Sequence, residues 1–299
     1  MTSSVCGQSA QRAAERSLSR LVQPGGPADS DRGTIWTDHA YQQALAAAGL
    51  ADCASVMASQ QGRLLRALRS RENWRLELHL AEGPRGMYLK KHHARGWTQR
   101  LRALAGLGPG STPGRVEADN IAQLNALGIT AMRLVAFGER QHKGGLVESF
   151  VLTEELAGYL PLDDFLPERF SGRPGRRDAD FTRLLSEVAG VTARFHRLGF
   201  NHRDLYCCHF FIRETSPGRF SVNLIDLQRV QRRRWFRRRW LVKDLAQLAY
   251  SAPPQVTRAQ RMRFIKQYLG VDKLRRNDKR LIRRVLAKQR RMQRHLGAA

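Results

Sequence analysis

Trp74, Leu76, Leu78 and Leu80 alternate with Arg75, Glu77 and His79, the period of a strand with one buried face. A Glu82-Gly83-Pro84-Arg85-Gly86 turn follows, and then a second short strand, Met87-Tyr88-Leu89-Lys90. Residues 63–91 therefore read as an antiparallel meander. Further along, Val116–Leu127 reads as a helix stopped by Gly128, and Leu134–Phe137 and Glu148–Leu152 as strands. The period changes after Glu155. Phe181, Leu184, Leu185, Val188, Val191 and Phe195 fall at helical spacing up to the breaker Gly199. Two short strand-like runs follow, Phe210–Ile212 and Val222–Leu227, and the rest is helical and basic.

This pattern predicts an α+β protein with a strand-rich first half and a helical second half, joined near residues 153–157. A ligand is expected at such a junction. The expected division is 1–34 as a disordered extension, 35–155 as the first lobe, and 156–299 as the second lobe with its basic tail. The extension is assigned on its Ser, Gly, Gln and Arg content and on Pro24-Gly25-Gly26-Pro27. Thr37 or Asp38 is expected to cap a short helix through Leu45, and residues 106–114 to form a flexible connector.

At 299 residues, 42% of them hydrophobic, the chain can bury a sizeable core. No apolar run approaches the roughly 18 residues that a membrane helix needs, and the polar N-terminus lacks a signal-peptide core. The expectation is a cytoplasmic protein. Cys6, Cys53, Cys207 and Cys208 do not fall at zinc-site spacings and are expected to be free thiols. The net charge of +26 is lopsided: residues 229–299 hold 23 Lys/Arg against 3 Asp/Glu. Such a field attracts phosphorylated glycans, anionic lipids or nucleic acid without choosing among them.

The chemistry concentrates in His202-Arg203-Asp204-Leu205-Tyr206-Cys207-Cys208-His209. Protein kinases carry H-R-D-L-x-x-x-N here, where the Asp accepts a hydroxyl proton and the Asn holds magnesium. Asp204 is thus the candidate base. His209 stands where the Asn would; a neutral imidazole binds metals, though magnesium prefers oxygen, so His209 could instead orient the phosphate or the base. Asp226, 22 residues on at the end of an apolar strand, matches the magnesium-binding Asp of D-F-G, with Leu227-Gln228 in place of Phe-Gly. Lys90 matches the strand lysine that contacts the α/β-phosphates, with Glu117 as its partner and Lys91 as the alternative. Glu155, next to Glu154, is placed where backbone groups would hold adenine. Gly-x-Gly-x-x-Gly is absent from the start of the first lobe. Only 17 residues separate Asp226 from Asp244, too few for a protein-docking activation segment, which favours a small-molecule or glycan acceptor. Arg232, Arg233, Arg234, Arg237, Arg238 and Arg239 flank Trp235-Phe236 and are candidates for recognising an anionic acceptor or a membrane surface. Trp240 and Leu241 are expected in the core, and His202 as a packed scaffold residue.

HRDLYCCHFFI, LIDLQRVQ and WLVKDLAQLAYSA, with YLKK and EADNIAQLNALGI upstream, resemble the Kdo/WaaP lipopolysaccharide kinase family over roughly Trp36 to Ser251. The resemblance implies a bilobal protein-kinase-like fold, ATP and Mg2+ as cofactors, and phosphorylation of a heptose or Kdo hydroxyl on a lipid-linked anionic glycan. The work would be done at the cytoplasmic face of the inner membrane. It implies Asp204 as base, Asp226 as metal ligand, Lys90 and Glu117 at the nucleotide, and Asp244 as a structural prop of the catalytic loop. The Asp204-to-His209 spacing is typical of that family. The competing expectations are a kinase for another small molecule or a protein, and a polyanion- or nucleic-acid-binding module with relic kinase motifs. The second predicts salt-sensitive binding and no ATP turnover.

Overall fold

A computed structural model describes residues 21–22, 33–93, 111–142, 146–170, 179–233, 235 and 237–296. The chain divides into two compact units after Ala157.

The first unit is built on a seven-stranded antiparallel sheet. Its strands are β1 (Leu21–Val22), β2 (Thr34–Asp38), β3 (Arg63–Leu68), β4 (Arg71–Leu80), β5 (Gly83–His92), β6 (Leu134–Gln141) and β7 (Val147–Glu154), in spatial order β1-β2-β6-β7-β5-β4-β3. The alternation in β4 works as the sequence predicts: Leu76 and Leu78 are buried, and Glu77 and His79 are exposed. These leucines join Ile35, Met87, Leu89, Phe150 and Leu152 in one core with residues of α1 (Gln42–Ala47) and α2 (Cys53–Ala58). Helix α3 (Pro113–Ala126) packs on β5, β6 and β7.

One local expectation is met and two change. Asp38 ends β2 and caps the helical turn His39–Tyr41 by accepting from Ala40 N–H, and α1 follows directly through Leu45; Thr37 stays in the strand, since Thr34–Thr37 pair with β6. Residues 112–114 belong to α3, since the Thr112 side chain caps it by accepting from Arg115 N–H and Pro113 suits its first turn; residues 106–110 lie outside the described residues. Leu21 and Val22, within the expected extension, pair with Asp38 and Thr37.

The second unit contains α4 (Leu162–Arg169), α5 (Ala179–Arg197), α6 (Arg237–Ser251), α7 (Arg258–Leu269) and α8 (Arg276–Leu296). Ala189 and Ala193 of α5, Leu245 and Ala246 of α6, Tyr268 of α7 and Val285 of α8 share a core. Gly199 ends α5 in the left-handed region (φ 95°), a conformation that glycine adopts without a Cβ penalty.

Two small antiparallel sheets then shape the loop that matters. Strand β8 (Leu160–Pro161) pairs with β10 (Phe210–Ser216), which folds back on β11 (Arg219–Leu224) with Phe210 opposite Leu224, and Ile225 N–H donates to the His209 carbonyl. The strand run ends at Leu224, not Leu227, because Asp226 turns into the left-handed region (φ 56°). Strand β9 (Phe200–Asn201) pairs with β12 (Gln231–Arg232). Residues 202–209 and 225–230 are thus clamped side by side at both ends.

Candidate active site

In the first unit, Lys90 and Lys91 point to opposite sides of β5, as strand geometry requires. Lys90 Nζ donates to Glu117 Oε1 at 2.7 Å, and Glu117 is fully buried on α3. Lys91 is buried instead against α2, where its ammonium donates to the carbonyls of Met57 (3.2 Å) and Ser59 and lies 5.1 Å from the Trp74 ring centroid. It caps the last carbonyls of a short helix. Burial holds its pKa below the usual lysine range. The choice left open between adjacent lysines is thus made by which face α3 covers. The Glu155 carboxylate receives Arg75 (2.7 Å) and the Tyr88 hydroxyl, and lies close against Gly86, which has no Cβ to block it. Its N–H donates to the Gly86 carbonyl, so its side chain and amide are engaged inside the unit.

In the second unit, the loop carrying Asp204 hangs on Asp244. The two carboxylate oxygens of Asp244 accept the backbone N–H groups of His202 (2.8 Å) and Arg203 (2.9 Å), and Arg203 sits at φ 72°. Apart from Asp226, Arg203 is the only non-glycine residue with positive φ among the described residues. Positive φ costs of order 1–3 kcal/mol and persists only where the surroundings enforce it. Asp244 is itself held by His196 Nε2 (3.3 Å), whose Nδ1 lies 2.9 Å from the Tyr268 hydroxyl. Burial, then the Asp244 charge, pushes the Tyr268 phenol above its ordinary range, so it stays a donor.

His202 is fully buried and donates Nε2–H to the Ile225 carbonyl (3.0 Å). Burial, and then the nearby His209, lowers its pKa to about 4. It is neutral and stacks on the His209 ring, with centroids 5.6 Å apart. His209 Nδ1 lies 2.6 Å from the Asp204 carbonyl. A carbonyl can only accept, so Nδ1 carries the proton and Nε2 keeps its lone pair in the neutral ring. That Nε2 lies 3.8 Å from Asp226 Oδ2.

The Asp204 carboxylate is surrounded by cations. Arg229 Nη1 donates to Oδ2 at 2.7 Å, Lys243 Nζ stands 3.9 Å from Oδ1, and Gln247 Nε2 reaches Oδ1 at 3.5 Å. Lys243 also donates to the Arg203 carbonyl. Its pKa is lowered, chiefly by burial. Arg229, Lys243 and Gln247 have no counterpart among the motif residues; the LIDLQRVQ and WLVKDLAQLAYSA segments contain them, but their spacing does not show that they converge.

The candidate acceptor arginines separate. Arg232 donates to the Leu198 carbonyl, Arg233 to Gln231, and Arg237 to the His196 carbonyl; Arg238 and Arg239 are exposed, and Arg234 lies outside the described residues. Trp240 and Leu241 are only half-buried rather than in the core. Arginine side chains explain this, since Arg203 and Arg233 each lie 5.0 Å from the Trp240 centroid and Arg239 5.7 Å. Cys53 and Cys207 are buried free thiols pushed up to about 12 by burial, Cys208 is exposed, and Cys6 lies outside the described residues.

The second unit also holds an apolar cavity of about 560 Å³, lined by Leu166, Val188, Leu248, Val256 and Leu286, among others, with Arg258, Arg261 and Arg290. Among the described residues no group of three or more His, Cys, Asp or Glu could hold a metal, and no helix is long and apolar enough to cross a membrane.

The profile of the lipopolysaccharide kinase (Kdo/WaaP) family matches residues 56–268. The lipopolysaccharide core heptose(I) kinase WaaP of Pseudomonas aeruginosa is 35% identical over 213 residues, 70% of this chain and 77% of the relative. The protein of the same name in Escherichia coli K12 is 30% identical over 214 residues, 70% and 78%. A solved structure of WaaP in complex with acyl carrier protein superposes with a TM-score of 0.58 at 32% identity, covering 79% of this chain and 89% of that one.

Proposed function

Because this chain belongs to the lipopolysaccharide kinase (Kdo/WaaP) family, we propose that it transfers the γ-phosphoryl group of ATP to a heptose hydroxyl of the lipopolysaccharide core. The observation that carries the site assignment is the loop in which Asp244 fixes the backbone beside Asp204, and His209 turns its Nε2 lone pair toward Asp226.

The donor set fits a divalent cation. Asp226 offers a carboxylate oxygen, and the tautomer of His209 leaves Nε2 free to coordinate within reach of the same ion. Magnesium prefers oxygen and keeps several waters, so Asp226 is assigned as its main protein ligand and His209 as a secondary or orienting one. Bound magnesium–ATP supplies the transferable phosphoryl group and neutralises charge as that group moves. Lys90 holds phosphate oxygens in a direction set by Glu117. Asp204 orients the acceptor hydroxyl and takes its proton. His202 keeps the His209 ring in place. Most of the rate enhancement comes from positioning and charge.

Transfer of labelled γ-phosphate to dephosphorylated core lipopolysaccharide tests this reading. Magnesium-dependent labelling of heptose supports it. Labelling of Kdo alone changes the acceptor, and no labelling with any core glycan overturns it.

Lys90 and Lys91 give a sharper internal check. Lys90→Met is expected to raise the KM for ATP and lower kcat, by about tenfold or more together, as a charge-assisted contact is lost. Lys91→Met leaves two carbonyls without their donor and is expected to cost about 1–3 kcal/mol in unfolding free energy, with the KM for ATP kept. Reversed outcomes would assign the nucleotide to Lys91.

The basic surface supports a location at an anionic membrane face in the cytoplasm, with the chain held there by charge. Helix α8 alone carries Arg276, Lys279, Arg280, Arg283, Arg284, Lys288, Arg290, Arg291 and Arg294. A second partner is favoured by the apolar cavity of the second unit, namely an acyl carrier protein whose acyl chain would enter it; the solved WaaP relative is in complex with such a protein. Added acyl carrier protein is expected to raise Tm, and Leu248→Arg to remove that shift. No shift with the acylated form would discard this partner.

A further inference from the structure

The contact between Arg229 and Asp204 is awkward for catalysis. The base must accept a proton on a free carboxylate oxygen, yet Oδ2 is taken by the Arg229 guanidinium at 2.7 Å. A guanidinium cannot take the hydroxyl proton or pass it on, so this oxygen is blocked while the pair holds. The opposite oxygen faces Lys243 and Gln247. One oxygen of the base is therefore occupied, and the other has polar neighbours.

The latch is built to be movable. Arg229 is about half-exposed (47%), and an exposed ion pair of this kind holds weakly. It also stands in a surplus of positive charge. Arg203, Arg233 and Arg239 gather around the Trp240 ring with Lys243 5.9 Å from its centroid, and Lys243 reaches Asp204 as well. Of the other carboxylates beside this loop, Asp244 is buried and spends its oxygens on backbone N–H groups, and Asp226 faces His209. Guanidinium forks in such excess match a carboxylate or phosphate group presented from outside.

We propose that Arg229 is a specificity-determining residue, by which an anionic group on the acceptor, next to the hydroxyl that reacts, draws the guanidinium off Asp204 and frees the base. The inference rests on the kinase reading above and deepens it. The preferred acceptor is a sugar that already bears a carboxylate or a phosphate ester on itself or on the neighbouring residue. A neutral sugar can enter, but it leaves the base latched. The alternative role, a permanent brace that orients Asp204, predicts no dependence on acceptor charge.

The test uses the full chain and three synthetic probes: a heptosyl disaccharide carrying a carboxylate sugar, its carboxyl-reduced neutral counterpart, and the neutral form bearing one phosphate ester. Kd is measured by calorimetry without nucleotide, and kcat and KM by phosphate transfer. Wild type is expected to favour an anionic probe over the neutral one by about tenfold or more, the worth of one charge-assisted contact. Arg229→Ala is expected to raise KM for the anionic probes, to raise kcat on the neutral probe, and so to narrow the preference to within about threefold. Arg229→Lys is expected to restore part of it. Preference for only one of the two anionic probes identifies the source of the charge.

Equal binding of charged and neutral probes by wild type would overturn the proposal. So would an Arg229→Ala variant that loses kcat on all three probes alike, the result expected of a brace or of a contact to ATP. The kinase reading fails separately: wild type then transfers no phosphate to any probe, while the Kd comparison still decides the role of Arg229.

Discussion

Asp204→Asn is expected to lower kcat for phosphate transfer by about 10²- to 10⁴-fold, the usual worth of a positioned general base. The substitution keeps shape and volume but removes the proton acceptor. Stability is expected to change little, because the ion pairs lost with Arg229 and Lys243 are partly exposed and worth about 0–1 kcal/mol. Lys90 and Glu117, proposed to hold the nucleotide, belong to the other unit and are untouched. The signature is therefore a collapse of kcat with ATP affinity and Tm kept, read by steady-state kinetics, calorimetry and thermal unfolding. A variant retaining kcat within about threefold of wild type would remove Asp204 from the role of base, since the weakest general base contributes far more than that.

The second large effect separates scaffold from chemistry. Asp244→Ala is expected to abolish transfer and to destabilise the protein. Two backbone N–H groups, the buried one of His202 and the part-buried one of Arg203, lose their acceptor, and a buried loss costs about 1–3 kcal/mol. His196 loses its partner too, and with it the chain to Tyr268 is cut. Arg203 would be left at positive φ with nothing to enforce it. A fall in Tm of roughly 5–15 °C follows from these costs for a unit of this size. Asp244→Asn keeps one carbonyl acceptor and is expected to fall between wild type and alanine. An alanine variant with wild-type Tm would mean that the loop is held by the β9–β12 and β10–β11 pairings alone.

Much of this was legible in the linear pattern. The alternation in Trp74–Leu80, the helical spacing of Phe181–Phe195 and the stop at Gly199 need only a period and a breaker, which are local properties. The family resemblance was equally legible, because H-R-D, the later Asp226 and Lys243-Asp244-Leu245 are short segments in a fixed order. Errors arose where pairing overrode propensity. Leu21 and Val22 sit in a stretch of low-complexity composition, yet they add a strand to the edge of the sheet. Trp240 reads as core, yet three guanidinium groups lie around its ring at the surface.

The sequence by itself determined the element types, the family and the residue kinds that phosphoryl transfer requires, because these depend on local periodicity and on motifs written in consecutive residues. The tertiary structure decided which of those residues act on one another. Lys90 rather than Lys91 meets Glu117, because α3 covers one face of β5 and α2 the other. His209 presents Nε2 rather than Nδ1 to Asp226, because the Asp204 carbonyl takes the Nδ1 proton. Arg229 latches Asp204 from 25 positions away along the chain. Such choices turn on angstrom-scale distances between segments remote in sequence, and no periodicity in a single chain encodes a distance that only folding creates.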